Sequence, residues 1–215
     1  GRTELVDAYD PTDIAEMAAD EKAQEVLLPI RPGHLPVLFP EVFLRENGGF
    51  DVLVGNPPWE EVMVEEPKFW LRLEPGLLSL KPAELKKRIS ELRRARKDLL
   101  PALQAEIDAT AIVRQILLAG PFPGLGTGDV DLYKVFAWRN WHSIRTSGWM
   151  GVVFPRVLLN AAGSSLWREE VLAHGALNAV TLVNSGEWVF EGVDPRYSIA
   201  LIAARKTGQG AGTVG

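Results

Sequence analysis

The sequence predicts an α/β protein with a mostly parallel sheet, an antiparallel pair of strands at one edge and a helical insertion. From residue 50 onward, apolar strand patterns alternate with helical patterns, which is typical of parallel α/β sheets. Strands predicted at 177–185 and 197–206 follow each other without a helix between them, and such neighbours usually pair in antiparallel fashion. Residues 82–119 hold strong helix formers with few helix breakers, and this stretch separates the first strand from the others.

Composition and charge limit the classes to which the protein can belong. Of its 215 residues, 47% are hydrophobic and 24% are charged, which is typical of a globular domain. The net charge of −5 is unusual for a free-standing nucleic-acid-binding protein, because such proteins are generally basic. The sequence has no cysteine and three scattered histidines, so we expect neither a disulfide nor a metal site. We find no secretory signal and no membrane-spanning run, which fits a cytoplasmic protein.

The first elements lead to a strand at 50–54. Residues 12–28 are predicted to form a helix, because apolar positions recur at helical spacing and Thr12 or Asp13 can cap it. The apolar stretch 35–43 is interrupted by two prolines, so we expect an extended segment packed on the core rather than a central strand. The strand at 50–54 is largely apolar, which predicts that both of its faces are covered.

Helices are predicted for most of the insertion. Pro101 is expected to separate two of them, the second of which ends at about residue 118. Residues 81–100 contain eight lysines and arginines against three acidic residues, a local charge of +5. The basic helix at 84–97 is therefore either a solvated surface or a contact for DNA phosphates. The candidates for phosphate contact are Arg93, Arg94 and Lys97.

The remaining elements complete the predicted sheet. We predict a helix at 131–146, a strand at 148–155 and a helix at 164–175 with Ser164 as its N-cap. Residues 124–129, GLGTGD, resemble a cofactor-binding loop, but the nearest element upstream is helical rather than a strand, so we interpret this loop as a hinge. Four tryptophans are interpreted as packing residues: Trp70, Trp138, Trp141 and Trp149.

The predicted strand at 50–54 is followed by the sequence GNPPW, residues 55–59, which combines a glycine, an amide, two prolines and an aromatic residue. Gly55 allows the backbone to turn closely, while Pro57 and Pro58 remove two N–H donors and fix two φ angles. Backbone carbonyls and the Asn56 side-chain oxygen then remain as acceptors beside the flat aromatic face of Trp59. Ligands of open α/β sheets bind beyond the carboxyl ends of the strands. The segment therefore predicts a pocket that accepts two N–H bonds from a planar amine and stacks on its ring.

GNPPW resembles motif IV, the (N/D)PP(Y/F/W) motif of S-adenosylmethionine-dependent amino-methyltransferases, chiefly N6-adenine DNA methyltransferases. The preceding FPEVF and GGFDVLV, and the later GDVDLYKVFAWRNWHSIRTSGWMGVVFP and VNSGEWVFEGVDPRYSIALIAARK, are similar to the large restriction-modification methylases of that family. The similarity covers about residues 35–206. It implies a partial Rossmann-like methyltransferase sheet, S-adenosylmethionine as methyl donor and double-stranded DNA as partner.

The resemblance also implies roles for individual residues. The target adenine is flipped out of the duplex, and its amine donates hydrogen bonds to the Asn56 side chain and the Pro57 carbonyl. Trp59 stacks on the base, while Pro58 and Phe190 are implied as further substrate-binding residues. Phe190 corresponds to a second aromatic residue that packs the flipped base in the family, and ordinary packing is the alternative for it.

The resemblance divides the chain into four parts. Residues 1–60 hold an N-terminal helix and the motif IV strand, 61–120 the helical insertion, 121–206 the second half of the methyltransferase domain, and 207–215 a flexible tail. The glycine-rich motif I that binds the cofactor is not found in residues 1–49, so no cofactor-binding residue is assigned. The sequence also starts without methionine, and we therefore expect a piece of a longer protein that is inactive by itself.

Two alternatives remain open. The same type of pocket suits methyltransferases that act on another planar amine or amide, such as protein glutamine, guanine of ribosomal RNA or N4 of cytosine. A non-catalytic α/β domain that only binds a partner is the other alternative. The long helical insertion and the upstream FPEVF favour the DNA enzymes, and the intact motif residues argue against a decayed site.

Overall fold

The computed structural model describes residues 21, 22, 25, 33, 35–192 and 194–208, apart from the side chain of residue 78. The chain divides into two compact units. The first comprises the residues up to Glu60 together with those from Leu118 onward, and the second is Glu61–Leu117. The second unit spans nearly the same residues as the predicted insertion.

The first unit contains a sheet of four strands in the order β1-β2-β4-β3. The strands are β1 (Phe50–Gly55), β2 (Ile144–Pro155), β3 (Gly175–Val183) and β4 (Ser198–Lys206). The predicted α/β class and the antiparallel pairing of the last two strands are confirmed. The predicted mostly parallel pairing is wrong, because β4 inserts between β2 and β3 and runs against both, which leaves β1–β2 as the parallel pair. Nevertheless β1, β2 and β3 all run in the same direction.

One face of this sheet carries the core of the unit. Along β2, alternate side chains point to opposite faces, and Met150, Val152 and Phe154 are buried on the same one. Helix α6 (Leu132–Ser143) directly precedes β2 and helix α7 (Ser165–His174) directly precedes β3, and both pack on that face. They contribute its large buried side chains, which include Tyr133, Trp138, Trp141, Trp167 and Val171.

The described residues leave the opposite face of the sheet open, and this corrects two predictions. Val52 and Val54 of β1 are 60% and 79% exposed, so this strand is not covered on both faces. Trp149 of β2 is 43% exposed beneath the Arg205 guanidinium and is not a core residue. The apolar pattern indicated burial correctly for the helix-covered face, but it could not show that the described residues cover only one face. Trp70, Trp138 and Trp141 are buried, as predicted.

The segment before β1 forms two short helices, α1 (Leu35–Leu38) and α2 (Pro40–Phe43), instead of the extended segment that we predicted. Both prolines lie in a first helical turn, where the N–H that proline lacks would have no intrahelical partner. The rings of Phe39 and Phe43 pack edge-on against Phe50 at 5.7 and 5.1 Å. The helix predicted at 12–28 lies outside the described residues, except that 21, 22 and 25 are helical.

The second unit contains helices α3 (Glu66–Leu71), α4 (Pro82–Ala95) and all but the last two residues of α5 (Leu100–Ala119). The two long helices predicted for 82–119 are confirmed, but the break falls at Arg96 and a 3-10 turn rather than at Pro101. Pro101 is the second residue of α5, where proline is tolerated. The small core of this unit is made by Phe69, Trp70, Leu77, Leu92 and Leu103.

Boundaries in the second half of the sheet unit differ modestly from the prediction. The helix predicted at 131–146 ends at Ser143, because β2 begins at Ile144 and is longer than predicted. Ser164 occupies the predicted N-cap position of α7, but its hydroxyl makes no capping hydrogen bond. Of the predicted tail, 209–215 lie outside the described residues, whereas Thr207 still donates a backbone hydrogen bond to the His174 carbonyl at 2.9 Å.

Candidate functional site

The GNPPW segment lies where β1 leaves the sheet. Gly55 is the last residue of β1 and pairs with Val152 of the parallel strand β2, so the carboxyl ends of both strands meet at one edge of the sheet. This edge is where ligands bind in α/β proteins. A Cβ atom at Gly55 would meet no atom within 4 Å, so packing within the described chain does not require glycine. The segment therefore borders open space.

Asn56 is exposed, and its carboxamide has no hydrogen-bond partner among the described residues. Pro57 is half-buried and Pro58 is exposed, and neither can donate a backbone hydrogen bond. Within the described part of the chain, the Pro57 carbonyl likewise accepts no hydrogen bond. The end of β1 thus offers two acceptors, the Asn56 side-chain oxygen and the Pro57 carbonyl, to a donor from outside.

Trp59 is fixed beside these acceptors. Its indole Nε1 donates to the Val153 carbonyl of β2 at 3.3 Å, and its ring packs against the edge of the sheet core. The indole remains half-buried, which confirms the partial exposure that a stacking role predicts. Tyr197 stacks on it with ring centroids 6.4 Å apart and an interplanar angle of 24°, and Phe190 meets it edge-on at 6.2 Å. We call Trp59, Phe190 and Tyr197 the aromatic cluster.

Asn184 holds the loop that carries two members of the aromatic cluster. This asparagine is fully buried at the end of β3. Its side-chain oxygen accepts the backbone N–H groups of Val189 and Phe190 at 3.1 and 2.9 Å, and its side-chain nitrogen donates to the Phe190 carbonyl at 3.0 Å. Its backbone N–H donates to the Tyr197 carbonyl at 2.9 Å. A single buried polar residue therefore positions both ends of the loop that faces Trp59.

Asp194 and Arg196 form an exposed ion pair just before Tyr197. The guanidinium Nη2 lies 2.6 Å from the Asp194 carboxylate, and the Arg196 backbone N–H also donates to it at 2.8 Å. The hydrogen bond from the guanidinium lowers the pKa of Asp194 to about 2. The carboxylate is therefore ionised at neutral pH and balances the charge of Arg196.

The open face of the sheet carries a largely apolar cavity that begins at the same strand end. It has a volume of about 520 Å³ and extends from Gly55 and Asn56 across β2 and β4 to Val180 of β3. Its lining includes the exposed side chains of Val54 and Leu201. The carboxamide of Asn56 is therefore a polar group at the margin of an apolar surface.

The structure places the predicted site residues in two regions. Asn56, Pro57, Pro58 and Trp59 lie together at the end of β1, and Phe190 approaches them from the loop after β3. The phosphate candidates belong to the second unit, on and just after α4. They are Arg93, Arg94 and Lys97.

The phosphate candidates differ in their partners. Arg93 binds both carboxylate oxygens of Glu66, with Nε donating at 2.6 Å, and this hydrogen bond lowers the pKa of Glu66. Arg94 and Lys97 have no ion-pair partner among the described residues. Arg93 is therefore part of an internal ion pair, whereas the other two are available to an external anion.

Sequence reasoning missed Asn184, Tyr197 and Arg156, the last of which follows β2 and lines a cavity together with Tyr197. Asn184 follows an apolar strand, where a polar residue usually indicates only the start of a loop. Tyr197 precedes β4 by a single residue and would read as part of the strand. Only their spatial relation to the aromatic cluster separates these residues from ordinary loop positions: Tyr197 belongs to it, Asn184 bonds two of its members, and Arg156 shares a cavity with Tyr197.

No family model and no curated protein matches this chain. A function is therefore inferred from the geometry of the site. Within the described ranges, no group of three or more histidine and acidic side chains could hold a metal ion. A search of the same ranges finds no helix that is long and apolar enough to cross a bilayer. The GLGTGD loop forms turns after α5, without a strand before it.

Proposed function

We propose that this chain carries the target-base site of a DNA methyltransferase, in a longer protein of a restriction-modification or phage-defence system. The reaction is transfer of a methyl group from S-adenosylmethionine to the exocyclic N6 of adenine. The observation that carries the proposal is the exposed Asn56 carboxamide, without a partner among the described residues, next to the half-buried indole of Trp59. Both lie at the carboxyl ends of the parallel strands, which is where α/β proteins bind ligands.

The two acceptors at the end of β1 suit the adenine amine. The amine has two N–H groups, and Asn56 and Pro57 each offer an oxygen that is not used by the described residues. Hydrogen bonds from both N–H groups fix the orientation of the amine and increase electron density on its nitrogen. When bound, S-adenosylmethionine would supply the methyl group: its sulfonium S–C bond would break as the new C–N bond forms, S-adenosylhomocysteine would leave, and the methylated amine would release one proton to solvent. The proline at 57 suits this arrangement because it brings no competing N–H donor.

The aromatic cluster suits a base that has left the duplex. Extruding a base costs a few kcal/mol of pairing and stacking energy. Stacking on an aromatic side chain recovers about 1–3 kcal/mol per base. Trp59 can provide this stacking on the part of its indole that Tyr197 and Phe190 do not cover, because the ring is anchored by Val153 and stays partly exposed. Phe190 is held by Asn184 and can limit the tilt of the base from a second direction.

The described residues supply the amine side of this reaction and do not fit the cofactor on their own. β1 is the first strand among the described residues, and none of these residues forms a glycine-rich loop after an earlier strand that could hold S-adenosylmethionine. We therefore assign no cofactor-binding residue and propose that the cofactor is held by a part of the protein outside the described residues. What these residues do is bind, orient and stack the acceptor base.

The free edge of β1 supports a larger catalytic sheet. β1 is an edge strand of the described sheet, and its exposed valines form part of an apolar surface. Exposed apolar edge strands promote association, and proteins usually cover or pair them. We propose that further strands of the catalytic domain pair with this edge.

The proposal predicts a specific product. Full-length protein incubated with S-adenosylmethionine and unmethylated plasmid DNA is expected to yield N6-methyladenine, because the acceptor pair binds the amine of a planar base. Mass spectrometry of the digested nucleosides measures it. Incubations with RNA and with protein are the controls for other acceptors. A product found only as N4-methylcytosine, methylated RNA or methylated protein would contradict the adenine assignment, and no methylation of any acceptor would contradict the enzyme assignment.

The basic helix is expected to contribute affinity for DNA without sequence preference. Replacing Arg94 and Lys97 with glutamine should weaken binding to all duplexes alike and flatten the slope of log affinity against log salt by about two, one per lost phosphate contact. Fluorescence anisotropy over a range of salt concentrations measures this slope. The reason is that these two side chains have no ion-pair partner among the described residues.

Arg93→Gln is the matched control for that experiment. Its guanidinium is already bound to Glu66, so its replacement should change the salt slope by less than either of the other two. An unchanged salt slope in the Arg94 and Lys97 variant would show that this helix is only a solvated surface with no role in DNA binding.

A further inference from the structure

A second cavity lies beside the aromatic cluster, with a volume of about 560 Å³. It opens where β2 ends at Pro155 and β4 begins at Ser198, at the same edge of the sheet as GNPPW. Tyr197 is common to both regions, because its ring stacks on Trp59 and also lines this cavity. A ligand that extends beyond Trp59 along this edge would therefore enter the cavity.

The cavity carries a positive charge that the described residues do not neutralise. Arg156 and Arg196 line it together with Asp194, so the sum of these three charges is +1. Asp194 is occupied by Arg196 in an ion pair at 2.6 Å. Arg156 is exposed and makes no ion pair or side-chain hydrogen bond within the described chain. In a protein of net charge −5, an uncompensated guanidinium beside a candidate active site favours an anionic ligand.

The other lining groups suit a nucleotide rather than a simple anion. Tyr197 is 50% exposed and presents an aromatic ring. Asn160 is exposed, and its carboxamide offers both a donor and an acceptor to the edge of a base. Cationic groups that follow the backbone, combined with aromatic rings that contact the bases, are the usual components of sites for single-stranded nucleic acid.

We propose that this cavity binds the nucleotide adjoining the flipped adenine, with Arg156 contacting the phosphate between the two. The inference rests on the proposed function, because the ligand is the DNA strand that carries the target base. The nucleotide whose base stacks on Trp59 is joined through a phosphate to the next nucleotide. Tyr197 contacts Trp59 and also lines the cavity, so it connects the place of the flipped base with the place of its neighbour. Arg156 and Tyr197 thereby help to hold the extruded strand, while Asn56 and Pro57 hold the reacting amine.

The test compares Arg156→Gln with Arg139→Gln in the full-length protein. Arg139 is an exposed arginine of α6 that does not line the cavity, and it is the matched control. Arg156→Gln is expected to raise the KM for DNA about tenfold or more, as for a lost hydrogen bond to a charged group. It should leave kcat within about twofold and flatten the salt slope of binding by about one. Arg139→Gln should change none of these quantities.

DNA in which a single phosphate is made neutral shows which phosphate Arg156 contacts. A duplex with a methylphosphonate at either phosphate next to the target adenine removes one charge at a time. One of the two should weaken binding of the wild-type protein about as much as Arg156→Gln does, and should weaken the variant no further. If Arg156→Gln matches Arg139→Gln while the protein methylates adenine, this inference is wrong and the proposed function stands. Failure to methylate adenine in any DNA would overturn both.

Discussion

Replacing Asn56 with alanine is expected to lower the rate of methyl transfer by about 10²–10³-fold while leaving the fold unchanged. The rate falls because a positioned electrostatic partner of the reacting group is lost, and removal of one such partner typically has an effect of this size. The fold is unaffected because the Asn56 side chain is exposed and has no partner among the described residues. Single-turnover methylation of DNA by the full-length protein, together with chemical denaturation of both forms, measures the two effects.

Two further variants show whether the effect belongs to the acceptor oxygen. Asn56→Asp keeps an oxygen in place and should retain more activity than Asn56→Ala. Asn47→Ala makes the same truncation at the opposite end of β1, where the side chain bonds the Thr146 carbonyl at 3.2 Å, and should leave the rate within about twofold. Equal rates for wild type and Asn56→Ala would remove this residue from the mechanism.

The elements that could be predicted from the sequence are those whose pattern depends on local geometry. The helical periodicity of α5 and α6 and the apolar runs of β3 and β4 placed these elements to within a few residues. Two prolines in the segment before β1 were misinterpreted, because proline disfavours a strand interior but is accepted in the first turn of a helix. Exposure of Trp149 could not be predicted either, because a strand shows which residues share a face but not whether that face is covered.

The candidate site likewise contains residues that could be predicted from the sequence and residues that could not. GNPPW is contiguous, so its chemistry could be interpreted from residue types alone. Phe190 was proposed only through resemblance, and its ring position, 6.2 Å from that of Trp59, depends on hydrogen bonds between the Phe190 backbone and the Asn184 side chain. Tyr197 and Arg156 come from different ends of β4 and β2, and only the antiparallel insertion of β4 beside β2 brings them to one cavity. Long-range pairing of this kind leaves no local pattern in the sequence.

Variants of Trp59 distinguish most clearly between a role in binding the base and a role in stabilising the fold. Its indole is half-buried, in contrast to Trp141, which is fully buried against the sheet. Truncating a fully buried tryptophan to alanine typically costs about 3–5 kcal/mol of stability. We expect Trp141→Ala to fall in this range and Trp59→Ala to cost clearly less, because part of the Trp59 ring already contacts solvent.

Trp59→Ala is expected to weaken the capture of the flipped base by about 1–3 kcal/mol, which corresponds to a loss of about five- to 150-fold in kcat/KM. Trp59→Phe keeps a ring for stacking but loses the Nε1 bond to Val153, and should recover part of this loss. Trp188→Ala is the matched control, because this indole also donates to a strand-end carbonyl, that of Val183 at 2.8 Å, but it is 64% exposed and lies outside the aromatic cluster. Methylation kinetics and chemical denaturation should be measured on all four variants. If Trp59→Ala destabilised the protein as much as Trp141→Ala, and its kcat/KM fell no further than that of Trp188→Ala, Trp59 would be a core residue and its stacking role would be excluded.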